Sequence, residues 1–381
     1  MPRSVIAIGV ADAVDSPAAL ARRVVRVARS LGDEDAISSN EVESELDLIV
    51  DLLRARGKPD LRHYRKSMVT RRVKRRMTLA GAEKVEDYIA RLRADPAECA
   101  HLRNDLLIGV TSFFRDTRSF EALRSHFSTA LSRIDPADPV RIWVPACSTG
   151  QEVYSIAMLC AEHNNSTPHP RSFSIFATDV HEPALEFASK GAYPMADIAG
   201  VPPPFLSRYF TAHEQFTIAR PIREMVIFAR HDLVRDPPFT RMHLVSCRNF
   251  LIYMEPAMQE QVLASLHFAL NRDGTLFLGQ SESIAPLEDE FETIDANARV
   301  FRKHSVTVHP ALRRRGSLVD PIAVVPNIDS LSRLPVVQDQ TTREVLDAVL
   351  ETGKMTCAQL SLDGSIVEIF NDSIGLFRMS K

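Results

Sequence analysis

The sequence predicts an α/β fold in which a doubly wound, mostly parallel sheet carries a small antiparallel insert and follows an N-terminal all-helical domain. The first observation is an apolar strand at residues 142–144 that runs through a small-residue turn into a helix. The second is the alternation of strands and helices up to about residue 301, which is typical of parallel strands joined by crossover helices. The third is helical periodicity across residues 41–125.

Breaks in these patterns divide the chain into segments. The segment Asp135–Pro139 ends the helical pattern, and a basic, proline-bearing stretch follows Lys303. Within the main domain, Phe216–Ala219 and Met225–Phe228 interrupt the alternation as short strands of a small insert. We therefore predict an N-terminal extension at 1–40, a helical domain at 41–125, a main domain at 126–305 with the insert at 191–228, a linker at 306–340, and a partial PAS-like or docking tail at 341–381.

Length and composition indicate a globular protein of two or three domains. At 381 residues, with 45% apolar and 25% charged residues, the chain is long enough to bury a large core. The formal net charge of −3 provides no overall attraction to nucleic acid or membranes. The five cysteines include no Cys-x-x-Cys pair, which argues against disulfides and a zinc site. With no apolar run of about 18 residues and no signal-peptide pattern, we expect a soluble cytoplasmic protein without a bound metal.

The residues from Ile142 to Glu152 indicate a function most directly. Ile142 and its apolar neighbours suit a buried strand, Gly150 permits a sharp turn, and Glu152 falls in the first turn of the following helix. This arrangement is typical of a site for a nucleotide-like cofactor. A second strand ends at Asp179, whose carboxylate is the natural partner of a ribose diol if the two strands are parallel neighbours. The alternative is that Asp179 only caps the next helix.

Polar residues also follow two later strands. Asp232 follows the strand that begins near Val226, and Arg248, Asn249 and Tyr253 follow the strand at 242–247. Because the carboxyl ends of parallel strands line one crevice, we expect Asp232 to bond an adenine amino group. Asn249 and Tyr253 would face the reacting end. Ordinary turn and cap bonds are the alternative for these residues.

The segment at 111–116 joins the helical domain to the main domain. It places the hydroxyl of Thr111 and the guanidinium of Arg115 where two domains meet, which is a common location for a ligand site. The alternative is that Phe113 and Phe114 pack this seam and that Arg115 forms a surface ion pair.

The helix predicted over residues 62–76 carries the densest run of cations in the chain, including Arg65, Arg71, Arg72 and Arg75. Such a run is usually a solvated helix face, and a nucleic-acid site is a further alternative. Neither aromatic stacking platforms nor a nucleic-acid fold signature accompanies it. We therefore favour a surface that docks an acidic protein helix.

Six short blocks occur in order along the chain: Thr-Ser-Phe-Phe-Arg-Asp at 111–116, Ala-Cys-Ser-Thr-Gly-Gln-Glu-Val-Tyr-Ser at 146–155, Ala-Thr-Asp at 177–179, Gly-Ala-Tyr-Pro at 191–194, Cys-Arg-Asn-Phe-Leu-Ile-Tyr at 247–253 and Asp-Gly-Thr-Leu-Phe-Leu-Gly-Gln-Ser-Glu at 273–282. Together they resemble the CheR-type chemotaxis receptor methyltransferases, over roughly residues 41–303. Enzymes of this family have a class I methyltransferase fold. They transfer a methyl group from S-adenosylmethionine to glutamate side chains of bacterial chemoreceptors.

The resemblance implies a role for each site residue. Tyr253 matches the family's tyrosine beside the transferring methyl group and is the expected catalytic residue. Thr111 and Arg115 would line the cofactor site from the domain junction. Glu152 and Asp179 would hold the amino-acid and ribose parts of the cofactor, and Asp232 and Leu233 would contact the adenine. Arg248 and Asn249 would close the pocket near the methionine moiety. The product would be S-adenosylhomocysteine.

The resemblance also implies a partner. The basic helix would dock the acidic methylation helices of a chemoreceptor's cytoplasmic domain. We expect a monomer that binds no nucleic acid and meets the membrane only indirectly, through the receptor.

Two alternatives to this enzyme stay open. One is a non-catalytic adenosylmethionine-binding signalling protein. The other is a nucleic-acid methyltransferase, because Asp-Pro-Pro-Phe at 236–239 matches a motif that holds an exocyclic amine in such enzymes. In those enzymes the motif follows a buried strand, whereas here it precedes one, so we expect an ordinary loop stiffened by its prolines.

Overall fold

The computed structural model describes residues 16–18, 21, 39–55, 61–107, 109, 111–212, 215–304, 357–360 and 366–370. The chain divides into two compact units, residues 1–315 and 316–381. The predicted linker at 306–340 lies outside the described residues, as does most of the predicted extension at 1–40. Within the described part of the chain, no helix is long and apolar enough to span a membrane.

The first described elements are helices α1 (Ser39–Ser44), α2 (Leu46–Ala55), a 3-10 turn (Leu61–His63), α3 (Lys66–Ala80), α4 (Val85–Ala94) and α5 (Pro96–Leu106). Apolar residues at helical spacing bury one face of α2. Helix α3 ends at Gly81, whose left-handed φ of 76° suits glycine. Helix α5 begins with Asp95, whose carboxylate accepts the Ala97 N–H at 2.9 Å, and with Pro96 in the first turn.

A buried ion pair holds α3 against α4 and α5. The Arg76 guanidinium donates to both carboxylate oxygens of Glu98, at 3.0 Å and 2.8 Å, and the Tyr88 hydroxyl donates to the same carboxylate at 2.9 Å. Arg76 and Glu98 are each only 3% exposed. Of the cations in the predicted basic run, this one therefore belongs to the core of the helical region.

The main sheet has seven strands: β1 (Val140–Pro145), β2 (Phe173–Asp179), β6 (Val226–Arg230), β7 (Met242–Cys247), β8 (Leu270–Leu278), β9 (Phe291–Asp295) and β10 (Val300–Lys303). Their order in the sheet is β6-β2-β1-β7-β8-β10-β9. The five strands from β6 to β8 pair in parallel, and β10 pairs antiparallel with both β8 and β9. The predicted fold class, with a mostly parallel sheet, is confirmed.

Alternate residues of the strands face two separate apolar cores. Ile142 and Val144 face the core built with helices α6 (Thr117–Leu131) and α7 (Gln151–Ser166). Trp143 faces the core shared by helix α12 (Pro256–Ala269) and the helical region. Helices therefore cover both faces of the sheet, as a doubly wound fold requires.

Helix α6 packs against the main sheet. Its residues Phe120, Leu123 and Phe127 lie in the core beside β1, so the predicted domain boundary between residues 125 and 126 falls inside a helix. Helical periodicity identifies an apolar face, but it does not say which core that face contacts.

The insert is a three-stranded antiparallel sheet of β3 (Ala192–Tyr193), β4 (Phe210–Ala212) and β5 (Phe216–Ile218). The short helices α8 (Glu182–Lys190), α9 (Met195–Ile198), α10 (Pro203–Tyr209) and α11 (Arg220–Arg223) surround it in sequence. The assignment of Met225–Phe228 to the insert was wrong, because β6 pairs in parallel with β2 at the edge of the main sheet. A short apolar strand does not reveal its distant partner.

The second unit is described at two strands, β11 (Cys357–Leu360) and β12 (Ile366–Phe370), which pair antiparallel. Both strands lie within the predicted tail at 341–381, and the Asp-Gly sequence between them, at 363–364, lies outside the described residues.

Removing the charge of Glu98 tests the buried ion pair. We expect Glu98→Gln to lower the free energy of unfolding by about 3 kcal/mol, because the buried Arg76 cation loses its counter-charge. Urea denaturation followed by circular dichroism measures the change. Glu83→Gln, at an exposed turn residue of the same region, is the matched control and should shift stability by less than about 0.5 kcal/mol. Equal effects of the two substitutions would contradict the assignment.

Candidate functional site

One cavity lies where β1, β2, β6 and β7 end at the carboxyl edge of the sheet, which is the usual ligand crevice of such folds. All nine residues predicted for the cofactor and for catalysis line this cavity: Thr111, Arg115, Glu152, Asp179, Asp232, Leu233, Arg248, Asn249 and Tyr253. They come from five separate stretches of the chain, which the parallel sheet brings to the same edge.

The turn after β1 has an unusual backbone. Ala146, Ser148 and Gly150 have φ values of 51°, 50° and 88°, all in the left-handed region. The Cys147 N–H donates to the Thr178 carbonyl at 3.0 Å and ties the turn to the end of β2. A Cβ atom on Gly150 would lie 2.8 Å from the Cβ of Ala188, so only glycine fits. The turn therefore brings its backbone close to the cavity.

Asp179 joins this turn to the end of β2. One carboxylate oxygen accepts the Ser148 N–H at 2.8 Å, and the other accepts the His181 N–H at 2.9 Å. Burial raises the pKa of Asp179, and these backbone donors oppose that shift. Each oxygen keeps a further lone pair, so the carboxylate can also accept bonds from a diol.

A buried ionic network forms the floor of the cavity. The Arg248 guanidinium donates to Glu152 at 3.4 Å and to Asp116 at 2.8 Å, and its side chain is 0% exposed. It also lies 4.5 Å from the ring centroid of Phe277. The Ser246 hydroxyl donates to Glu152 at 2.7 Å. Burial raises the pKa of Glu152, whereas the charge of Arg248 lowers it. Arg248 therefore holds Glu152 in place in addition to lining the cavity.

Asp232 presents an acceptor to the cavity from the loop after β6. Its Oδ1 atom accepts the Val234 N–H at 3.0 Å, while Oδ2 is buried with no hydrogen-bond partner among the described residues. Farther along the loop, the ring of Phe239 packs 5.2 Å from that of Trp143 and 5.4 Å from that of Phe176. The Asp-Pro-Pro-Phe sequence thus directs its aromatic ring into the protein, as expected for an ordinary loop.

The helical region holds the backbone around Tyr253. The Tyr253 carbonyl accepts the Arg65 N–H at 2.9 Å, and the Glu255 N–H donates to the His63 carbonyl at 3.0 Å. The Arg65 guanidinium also donates to the Met254 carbonyl at 3.1 Å. Arg65, predicted for substrate docking, therefore also bonds the segment that carries the predicted catalytic residue.

The other predicted docking residues lie along α3. Arg71 and Arg75 are exposed, and Arg75 lies 3.6 Å from the carboxylate of Asp105. Arg72 is half-buried: burial and neighbouring arginines lower its pKa, and Asp105 and Tyr253 oppose the decrease. Arg72 is therefore the least exposed of these three arginines.

Tyr64 and His181 are among the cavity residues that the sequence analysis did not identify as site residues. Tyr64 is a buried residue of the helical region, and burial together with the nearby Asp179 and Asp232 raises the pKa of its hydroxyl. His181 has a buried Nε2 atom with no partner among the described residues, and burial lowers the pKa of its ring. The position of His181 two residues after Asp179 was a usable signal. Tyr64 had none, since it is distant in sequence from every strand.

Adding one methyl group to Gly150 tests the turn. We expect Gly150→Ala to destabilise the fold by about 2–4 kcal/mol, because it combines left-handed backbone strain with overpacking against Ala188. Chemical denaturation gives the change. Gly200→Ala is the matched control, because its Cβ would find only an ordinary contact, 3.7 Å from the Phe113 carbonyl. A Gly150→Ala protein as stable as the control would show that the turn tolerates a side chain.

Comparisons with known proteins identify both parts of the first unit. The family model described as "CheR methyltransferase, SAM binding domain" matches residues 109–300. The model described as "CheR methyltransferase, all-alpha domain" matches residues 44–107. The boundary between these matches precedes helix α6, in agreement with the packing of that helix on the sheet.

Relatives give the same result. An uncharacterized 104.1 kDa protein of Rhodobacter capsulatus is 37% identical over 291 residues, which are 76% of this chain and 30% of that protein. The chain thus spans less than a third of that relative's length. The chemotaxis protein methyltransferase of Salmonella typhimurium is 30% identical over 255 residues, covering 64% of this chain and 85% of that enzyme. That of Escherichia coli is 30% identical over 243 residues, covering 61% and 81%. The chain belongs to the CheR methyltransferase family.

Proposed function

We propose that this chain methylates glutamate side chains of bacterial chemoreceptors, using S-adenosylmethionine bound in the cavity at the carboxyl edge of the sheet. The observation that carries the proposal is the set of polar groups that converge on this cavity. The two similar enzymes from Salmonella typhimurium and Escherichia coli are named chemotaxis protein methyltransferases, which supports a receptor substrate.

The polar atoms of the cavity fit the expected cofactor. Within the described ranges, Ser148 Oγ, His181 Nε2, Asp232 Oδ2 and Asn249 Oδ1 are buried without hydrogen-bond partners. Each unsatisfied buried group destabilises a protein by about 1–3 kcal/mol, so their concentration in one cavity indicates a polar ligand. S-adenosylmethionine carries an adenine amino group, a ribose diol and an ammonium group, which are donors for such acceptors.

Each residue then has a binding role. The Asp179 carboxylate would accept the ribose hydroxyls, and the free oxygen of Asp232 would accept the adenine amino group. Asn249 and Glu152 would hold the methionine part, beside Arg248. Leu233 would pack on the adenine, whereas Thr111 and Arg115 line the cavity from the junction with the helical region. Tyr253 would then lie beside the methyl group that is transferred.

Methyl transfer to a carboxylate requires little acid or base chemistry from the protein. Bound S-adenosylmethionine supplies a methyl group that is already activated on a positively charged sulfur. A glutamate side chain, with an ordinary pKa of about 4.3, is ionised at neutral pH and attacks as it is. Transfer of the methyl group to the glutamate oxygen would break its bond to sulfur and would require no proton transfer from the protein. The residues around Tyr253 therefore act mainly by alignment and by excluding water.

The basic helix α3 gives the acidic receptor helix a place to bind. Arg71 and Arg75 are exposed and would attract an acidic surface. The half-buried Arg72 interacts electrostatically with Tyr253, beside which the substrate carboxylate would bind. The exposed arginines would thus attract the receptor helix from a distance, and the half-buried arginine would help to place its carboxylate.

The carboxylate of Asp179 is expected to make cofactor affinity depend on pH. Asp179→Asn should weaken S-adenosylhomocysteine binding at least about tenfold, because the amide cannot replace an anionic acceptor. The pKa of Asp179 is raised, so wild-type affinity is present above that pKa and is lost as the pH falls through it. Titration calorimetry from neutral to mildly acid pH measures both effects. Asp138→Asn, at the opposite edge of the sheet, is the matched control. Unchanged affinity in Asp179→Asn would refute the ribose assignment.

Charge reversal on α3 separates docking from cofactor binding. We expect Arg71→Glu to lower kcat/KM for chemoreceptor fragments by about fivefold to tenfold at low ionic strength, because it repels an acidic partner. The difference should shrink with added salt, and the affinity for S-adenosylhomocysteine should not change. Arg93→Glu, at an exposed position of α4, is the control with the same charge change. Equal losses in both variants would contradict docking at α3.

A further inference from the structure

The carboxylate of Glu282 lies in the tight turn after β8 and is 3% exposed. It accepts backbone N–H groups from four residues. Its Oε1 atom accepts Phe250 at 2.8 Å and Leu251 at 2.8 Å, and its Oε2 atom accepts Asn249 at 3.0 Å and Gly279 at 2.6 Å. One side chain thus satisfies three consecutive amides of the segment that follows β7.

Three consecutive N–H groups can point at one acceptor only where the backbone curls. Asn249 has a φ of 59°, in the left-handed region that non-glycine residues seldom adopt. Such curled segments bind anions, because their amide dipoles converge. Here the anion is supplied by the chain itself. Burial raises the pKa of Glu282, and the four backbone donors oppose that shift.

The Glu282 carboxylate and the segment 249–251 are packed closely around Gly279. A Cβ atom on Gly279 would lie 2.8 Å from the Asn249 amide nitrogen and 2.8 Å from Oε2 of Glu282. The bare glycine therefore lets the carboxylate and the curled segment approach each other closely.

The segment held by Glu282 carries the reacting end of the cavity. The Oδ1 atom of Asn249 is buried there without a partner among the described residues, and Tyr253 follows four residues later. On its far side, the segment is bonded to His63 and Arg65 of the helical region. Glu282 does not line the cavity, so any effect on catalysis must pass through the backbone of this segment.

We propose that Glu282 is a positioning residue for methyl transfer, which sets the backbone of residues 249–251 and thereby the placement of Asn249 and Tyr253. The proposal rests on the proposed function of the cavity. A carboxylate is required because both of its oxygens are pure acceptors and each accepts two N–H groups.

The test is Glu282→Gln in the full chain. Whichever way the amide is turned, its nitrogen faces two N–H donors, so two of the four bonds are lost. We expect faster hydrogen–deuterium exchange at the amides of 249–251, S-adenosylhomocysteine affinity lower by about tenfold, and kcat for chemoreceptor fragments lower by about a hundredfold. Binding and rates are measured well below the melting temperature, per folded molecule.

The matched control is Glu98→Gln, which removes the charge of a carboxylate that is also 3% exposed. It should lower the melting temperature while affinity and kcat per folded molecule stay at the wild-type values. If Glu282→Gln behaves in the same way, the residue is only structural and the proposal is wrong. If the wild-type protein itself does not bind S-adenosylhomocysteine, the proposed function fails instead.

Gly279→Ala provides a second route should Glu282→Gln not fold. It keeps the carboxylate and separates it from the Asn249 amide. We expect the same loss of amide protection at 249–251 and a decrease in kcat of about tenfold or more. Wild-type kcat together with increased exchange at these amides would overturn the proposal.

Discussion

The buried guanidinium of Arg248 is the interaction on which the rest of the site depends. It contacts Glu152 from helix α7 and Asp116 from the junction with the helical region, and it follows strand β7 itself. A cation with a fully buried side chain is unstable without both partners, because desolvation of the charge must be offset by close ion pairs. The end of β7, the start of α7 and the junction with the helical region therefore depend on the same ion pairs. These ion pairs form the floor of the cavity.

Around this network, the cavity is built from backbone and polar groups that do not favour stability by themselves. Ala146, Ser148 and Asn249 adopt left-handed backbone, and several buried polar atoms near them lack partners within the described residues. Strain and unsatisfied groups of this kind persist where surrounding contacts impose them, and they are common at ligand sites. The carboxylates of Asp179 and Glu282 supply those contacts, each by accepting several backbone N–H groups. The features that allow ligand binding at this edge of the sheet thus lower the local stability of the fold.

The helical region contributes to the cavity in addition to carrying the proposed docking helix. Its residues His63 and Arg65 bond the backbone around Tyr253, Tyr64 lines the cavity, and the basic helix α3 begins immediately afterwards. A receptor helix bound along α3 would lie next to the segment that carries the predicted catalytic residue. If α3 docks the substrate as proposed, one short stretch of backbone connects the docking helix to the proposed catalytic residue.

The sequence by itself determined the parallel sheet, the turn at Gly150 and the strand-end residues such as Asp179 and Tyr253, because local periodicity and turn chemistry are encoded by neighbouring residues. Only the tertiary structure decided between the two placements predicted for β6, in the insert or in the main sheet. It also decided that α6 packs on the sheet, that Tyr64 lines the cavity, and that Glu282 binds the segment after β7. These features depend on contacts between residues far apart in the chain. No local pattern specifies such partners, since an apolar strand or a buried carboxylate has the same sequence signal wherever it packs.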